Sequence, residues 1–126
     1  MTKPIRILHL EDEDNDAELI ALELDSHGWP HELVHVQTQK EFLAALAAST
    51  FDIILADNSG PSFRGSDALA MAREKSPQAA FLFVSGTAVR DNAVAAMKSN
   101  SDGFVLKDHI SDLLPAIQRA LETKKK

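Results

Sequence analysis

Five short apolar runs punctuate the chain, at Ile5–Leu10, Leu33–Val36, Ile53–Ala56, Phe81–Val84 and Phe104–Leu106. They are dense in Ile, Leu, Val and Phe and do not alternate with polar residues. Strands covered on both faces read this way, and such strands belong to parallel sheets. Five segments of helical periodicity come after them in turn. The first runs from about Asn15 to Ser26 and stops at Gly28, a natural residue for the left-handed turn past a helix end, with Pro30 beyond. The second opens on Thr38-Gln39-Lys40-Glu41, a capping box, and continues through Phe42, Leu43 and Leu46. The third spans roughly Gly65 to Lys75 and ends at Ser76-Pro77; the fourth covers about Val89 to Ser99. In the fifth, within Ile110–Thr123, Leu113, Leu114, Ile117 and Leu121 fall on one stripe. Pro115 must sit in its first turn, where a missing N–H is tolerated. Strand and helix alternating five times is the (βα)5 pattern of a doubly wound α/β sheet.

Composition narrows the setting. A length of 126 residues means one domain, 1–126 with an ordered core of about 4–123, and no output domain. Such a chain buries about two-thirds of its extended surface and needs no staples. The lack of cysteine removes disulfides, thiolate metal sites and thiol nucleophiles together. The formal charge is −6, from 19 acidic and 13 basic residues, which argues against direct nucleic-acid binding. Stretches without a polar residue, such as Ala79 to Val84, are far too short to cross a bilayer. Carboxylates interrupt MTKPIRILHLEDED before any signal-peptide core could form, so a cytoplasmic protein is expected.

The chemistry lies at the carboxyl end of each strand. The first run ends in Glu11-Asp12, the third in Asp57, the fourth in Ser85 and the fifth in Lys107. Parallel strands put their carboxyl ends on one edge of the sheet, and ligands bind there where the strand order reverses. If the order is 2-1-3-4-5, Glu11, Asp12 and Asp57 converge, with Ser85 and Lys107 facing them. Three carboxylates against one ammonium leave a net −2. Two carboxylates about 4 Å apart repel by a few kcal/mol at an effective dielectric near 20. A divalent cation cancels that charge, and an all-oxygen site with room for waters suits Mg2+. The cation would also screen an incoming phosphoryl group, which Asp57 could attack as carboxylates do when they form aspartyl phosphates. Lys107 and the Ser85 hydroxyl would hold the transferred oxygens, and Gly86 leaves space beside them.

At these residues the chain resembles the receiver domain of two-component response regulators, over essentially its whole length. LHLEDED is similar to the family's acidic-pair segment, DIILADNSGPSFRG to its phosphoacceptor loop, FVSGTA to its hydroxyl strand and GFVLKD to its lysine strand. The resemblance implies a flavodoxin-like sheet of order 2-1-3-4-5. It implies that Asp57 accepts a phosphoryl group from a histidine kinase or phosphotransfer protein, and that a downstream protein target reads the result. Asp12 would be the direct metal ligand, Glu11 would hold metal-bound water, and the Ser59 carbonyl would complete the protein ligands. Ser85 would be the switch hydroxyl and Phe104 the rotating aromatic, with Ser59 and Thr87 setting the phosphoryl lifetime. The output surface would be that of the fourth helix, fifth strand and fifth helix. The only chemistry implied is self-phosphorylation and its reversal, not turnover of an external substrate.

Three departures from the family pattern carry expectations. Asp108 comes after Lys107 where a cis proline is usual; a non-proline cis bond costs about 2.5–4 kcal/mol, so a trans bond and a differently shaped loop are expected. Gly60 replaces the larger residue that often precedes Pro61, a change expected to loosen that loop. Val89, Asn92 and Ala96 lack the charged set that many transcriptional members use to dimerise, so at most a weak homodimer is expected. The plainer readings apply elsewhere. Glu13, Asp14 and Asp16 read as carboxylates favoured by a helix start. His9 reads as a satisfied core histidine and Trp29 as packing. His31 and His35 sit around a strand, where four residues span about 13 Å, so they are not expected to share an ion. Two other functions compete: a pseudo-receiver that only binds proteins, supported by Asp108 and Gly60, and a small Mg2+-dependent phosphatase. The second lacks a general acid at Ser59 and residues for a substrate cap.

Overall fold

A computed structural model describes residues 4–26, 28, 30–57, 65–85 and 101–125. Five strands form one parallel sheet: β1 (Ile5–Leu10), β2 (His31–Val36), β3 (Ile53–Ala56), β4 (Ala80–Ser85) and β5 (Gly103–Leu106), in the order β2-β1-β3-β4-β5. The helices are α1 (Asp14–Ser26), α2 (Gln39–Ala48), α3 (Gly65–Lys75) and α4 (Leu113–Lys125), with a 3-10 segment at Lys107–Asp112 leading into α4. The helix expected at Val89–Ser99 lies outside the described residues, as does Trp29.

The two-residue period of a strand sorts the core into two layers. Ile5 and Ile7, Ile53 and Leu55, Leu82 and Val84, and Val105 pack against Ile20 and Leu24 of α1 and Leu113, Ile117 and Ala120 of α4. The intervening residues Leu8, Leu10, Ile54, Phe81 and Phe83 pack against Phe42 and Leu46 of α2 and Ala68 and Ala72 of α3. Strands β1, β3 and β4 are therefore buried on both faces, which is why their sequences read as unbroken apolar runs.

β2 departs from that reading. It is an edge strand two residues longer than its apolar run, with Glu32, Val34 and His35 exposed. It pairs with β1 alone, so polar residues are tolerated along it.

Local signals act where expected. Thr38 caps α2, with Thr38 Oγ1 accepting from the Glu41 N–H and Glu41 Oε1 accepting from the Thr38 N–H, each at 3.2 Å. Gly28, at φ 66°, supplies the left-handed residue after α1, and its N–H donates to the Asp25 carbonyl at 3.2 Å. Pro115 falls in the first turn of α4. The Lys107–Asp108 peptide is trans, and the chain after it winds into the 3-10 segment. Among the described residues no helix is long and apolar enough to cross a membrane.

Candidate functional site

The sheet carries its hydrogen bonding one residue past the strands, and this fixes the acidic side chains. The Glu11 N–H donates to the Val36 carbonyl at 3.0 Å, and the Asp57 N–H donates to the Leu10 carbonyl at 3.2 Å. His35 Nε2 donates to the Glu11 carbonyl at 2.7 Å, so β2 also anchors the end of β1. Glu11 Oε2 accepts from the Glu13 N–H at 3.1 Å, which orients the carboxylate at the start of α1.

Glu11, Asp12 and Asp57 converge at this edge. One carboxylate oxygen from each lies within 4.8 Å of the others; Glu11 and Asp57 are buried and Asp12 is exposed. Charges at that separation repel by about 3–4 kcal/mol per pair at an effective dielectric near 20. Lys107, the first residue after β5, reaches across β4 and β3 to relieve part of this. Its Nζ lies 2.8 Å from Glu11 Oε1, 3.1 Å from Asp57 Oδ2 and 2.7 Å from Asp16 Oδ2.

The titration properties reflect burial set against these contacts. Burial pushes the Glu11 carboxyl up to about 7; Lys107 pulls it down, but the nearby Asp57 charge adds to the rise. For Lys107, burial disfavours the charged form, yet the hydrogen bond it donates to Asp16 and its close contact with the Glu11 carboxylate outweigh this and raise the ammonium above its ordinary range.

The donor set fits a hard divalent cation. Every convergent atom is a carboxylate oxygen, one ammonium cannot neutralise them, and burial disfavours the charged form of Glu11. Softer ions would want sulfur or clustered imidazole, and the chain has no cysteine.

The other predicted residues divide into three groups. Ser85 ends β4 fully buried, and its Oγ has no hydrogen-bond partner among the described residues. Phe104 is half-buried on β5 against the layer containing Phe81 and Phe83. Ser59, Gly60, Pro61, Gly86, Thr87, Val89, Asn92 and Ala96 lie outside the described residues.

Two of the plainer readings need correction. Asp16 opens α1 as a dipole-favoured carboxylate should, but its side chain is the shortest partner of Lys107. The signal available in the sequence is weak: an acidic residue four positions past Asp12 faces the site only once α1 is packed. His9 is buried as expected but not satisfied, since neither ring nitrogen has a hydrogen-bond partner among the described residues. Burial, followed by the charges of His35 and Lys107, lowers it to about 3, so it stays neutral. His31 and His35 turn to different partners, Asp25 at 3.4 Å and the Glu11 carbonyl.

The fold is shared with known proteins. A response regulator receiver domain protein from Clostridium thermocellum shares 27% identity at a TM-score of 0.80, covering 96% of this chain and 97% of that one. A CheY-like receiver domain protein from Methanospirillum hungatei JF-1 shares 25% identity at a TM-score of 0.81, with 98% of each chain covered. The signal receiver domain of a signal transduction histidine kinase from Syntrophus aciditrophicus has the same fold, at 20% identity and a TM-score of 0.79, with 97% and 93% covered. No curated protein matches the chain significantly. The family model for the response regulator receiver domain matches residues 7–118. Since that match runs from within β1 into α4, the chain belongs to the response regulator receiver domain family, the domain type of two-component signalling.

Proposed function

We propose that this domain accepts a phosphoryl group on Asp57, delivered by a histidine kinase or phosphotransfer protein, and that a protein target reads the resulting change of state. The observation that carries this reading is the contact between the buried Asp57 carboxylate and Lys107 Nζ, 3.1 Å apart, within the acidic cluster. An Asp57 oxygen attacks phosphorus, the donor leaves with the electron pair of its bond to phosphorus, and an acyl phosphate results. Lys107 holds a transferred oxygen through a charge-assisted hydrogen bond. The Ser85 hydroxyl, buried without a partner among the described residues, gains one when it turns to the same group. That added charge-assisted bond favours the switched state, and the population shift results from it.

In this reading Asp12, Asp57 and the Ser59 carbonyl would hold Mg2+, with Glu11 holding it through water. When bound, the cation supplies charge neutralisation for the carboxylates and the incoming phosphoryl oxygens. The residues act on their own phosphoryl group and turn over no external substrate. Phe104, Gly86 and Thr87 belong to the same switch, with Ser59 and Thr87 setting the lifetime of the acyl phosphate. The unit is 1–126 as a single cytoplasmic receiver domain.

The test is labelling by a small phosphodonor with Mg2+. The natural chain should take up close to one phosphoryl group and Asp57→Asn none, with both folded by circular dichroism. Stoichiometric labelling of Asp57→Asn would remove Asp57 from its role. A second reading, a pseudo-receiver that serves only as a protein-interaction module, has one observation in its favour. Three carboxylates of the chain itself already surround the Lys107 ammonium. Failure to bind Mg2+ or a phosphoryl mimic at millimolar concentration would favour it.

A further inference from the structure

We propose that Asp16 is a positioning residue: its carboxylate anchors the Lys107 ammonium beside Asp57, and holds it there when the other acidic side chains are drawn away. This rests on the phosphoacceptor reading of Asp57 and adds a residue to it. An ammonium has three N–H donors. Three carboxylates surround the one on Lys107, at 2.7 Å for Asp16, 2.8 Å for Glu11 and 3.1 Å for Asp57. Two of these also belong to the cluster that could take a cation, whereas Asp16 does not. Once Glu11 and Asp57 serve a cation or carry a phosphoryl group, Asp16 is the one of these three carboxylates left to hold the lysine in place beside the transferred oxygen.

The origin of Asp16 makes the anchor stiff. It is in the first turn of α1, whose Ala17, Ile20 and Leu24 are buried in the core, while Lys107 begins the 3-10 segment after β5. The bond therefore joins two elements 91 residues apart in sequence. A carboxylate serving only the helix dipole would have no need of a cation from a distant strand end. The Lys107 side chain is 12% exposed, so its long stem has few rotamers available once the head is tied.

A double-mutant cycle tests this, with Asp16→Asn, Lys107→Met and the pair, and Glu18→Gln as a control on the exposed side of α1. In chelator, urea unfolding should show Asp16→Asn lowering the folding constant about fivefold with Lys107 present, and less than about twofold with Lys107→Met. With Mg2+, Asp16→Asn should weaken beryllofluoride binding about fivefold or more, while Mg2+ affinity stays level or rises; Glu18→Gln should change neither. Equal losses in both Lys107 backgrounds would overturn the proposal. So would tighter beryllofluoride binding by Asp16→Asn, because Asp16 would then compete with the phosphoryl group for the lysine. If the natural chain binds no beryllofluoride, the phosphoacceptor reading fails, while the metal-free cycle still decides whether Asp16 anchors Lys107.

Discussion

His9 makes the stability of this domain depend on pH in a way that one substitution isolates. Its ring is fully buried, its nitrogens have no partners among the described residues, and it is lowered from 6.5 to about 3. The unfolded chain therefore binds a proton at His9 below about pH 6.5 that the folded chain refuses until about pH 3. A histidine depressed in this way contributes stability that is present above 6.5 and is lost as pH falls toward 3. Integrated from pH 7 to pH 4.5, the loss is about 2.5 kcal/mol. Glu11 acts in the opposite sense: raised to about 7, it contributes stability at low pH that is lost as pH rises through that value. The two act in opposite directions over overlapping pH ranges, so the natural protein's own profile does not isolate His9. His9→Leu removes one side of the balance. The measurement is urea unfolding of both proteins in chelator between pH 7 and pH 4.5. The stability of His9→Leu relative to the natural chain should improve on acidification by about 2.5 kcal/mol, whatever offset exists at pH 7. Parallel profiles for the two proteins would show that His9 titrates normally and refute the reasoning.

Three further outcomes are set by the packing. Phe42→Ala should cost about 3–5 kcal/mol in urea unfolding, because the ring is wholly buried between α2 and the sheet. Thr38→Ala should cost about 1 kcal/mol through loss of the cap, and Thr38→Ser should recover most of it. Gly103→Ala places a Cβ 2.5 Å from Leu82 Cδ1 across the β4–β5 pair, and overpacking of this kind should cost about 1–3 kcal/mol. In a Leu82→Ala background, already destabilised by its own cavity, Gly103→Ala should cost less, a non-additivity measured by the same unfolding curves.

Much of the architecture is legible in the order of residues because burial on both faces leaves a mark on composition. Ile53–Ala56 can be unbroken apolar only if both sides are covered, and helices of regular period between such runs supply the cover. Thr38 and Gly28 mark helix ends because capping is a local hydrogen-bond problem, solved within a few residues. The apolar run marks β2 two residues short because an edge strand needs no continuous apolar face: His31 and Glu32 pair with Ile5 and Arg6 although they look like loop residues.

The site divides along the same line. That Glu11, Asp12, Asp57, Ser85 and Lys107 each come at the end of an apolar run is a property of the chain, and parallel pairing alone carries those ends to one edge. Which atoms meet there is a matter of distance in three dimensions. Asp14 and Asp16 are equally good carboxylates for the start of α1. Only the way α1 packs turns Asp16 toward Lys107, while Asp14 accepts a hydrogen bond from Gln37. Likewise, nothing around His9 in sequence says that its ring nitrogens are left without partners among the described residues; the burial of β1 between two helical layers decides it. Period and capping are short-range and are written in the order of residues. Ion pairing and desolvation depend on what the remote parts of the chain bring alongside, and only the folded structure supplies that.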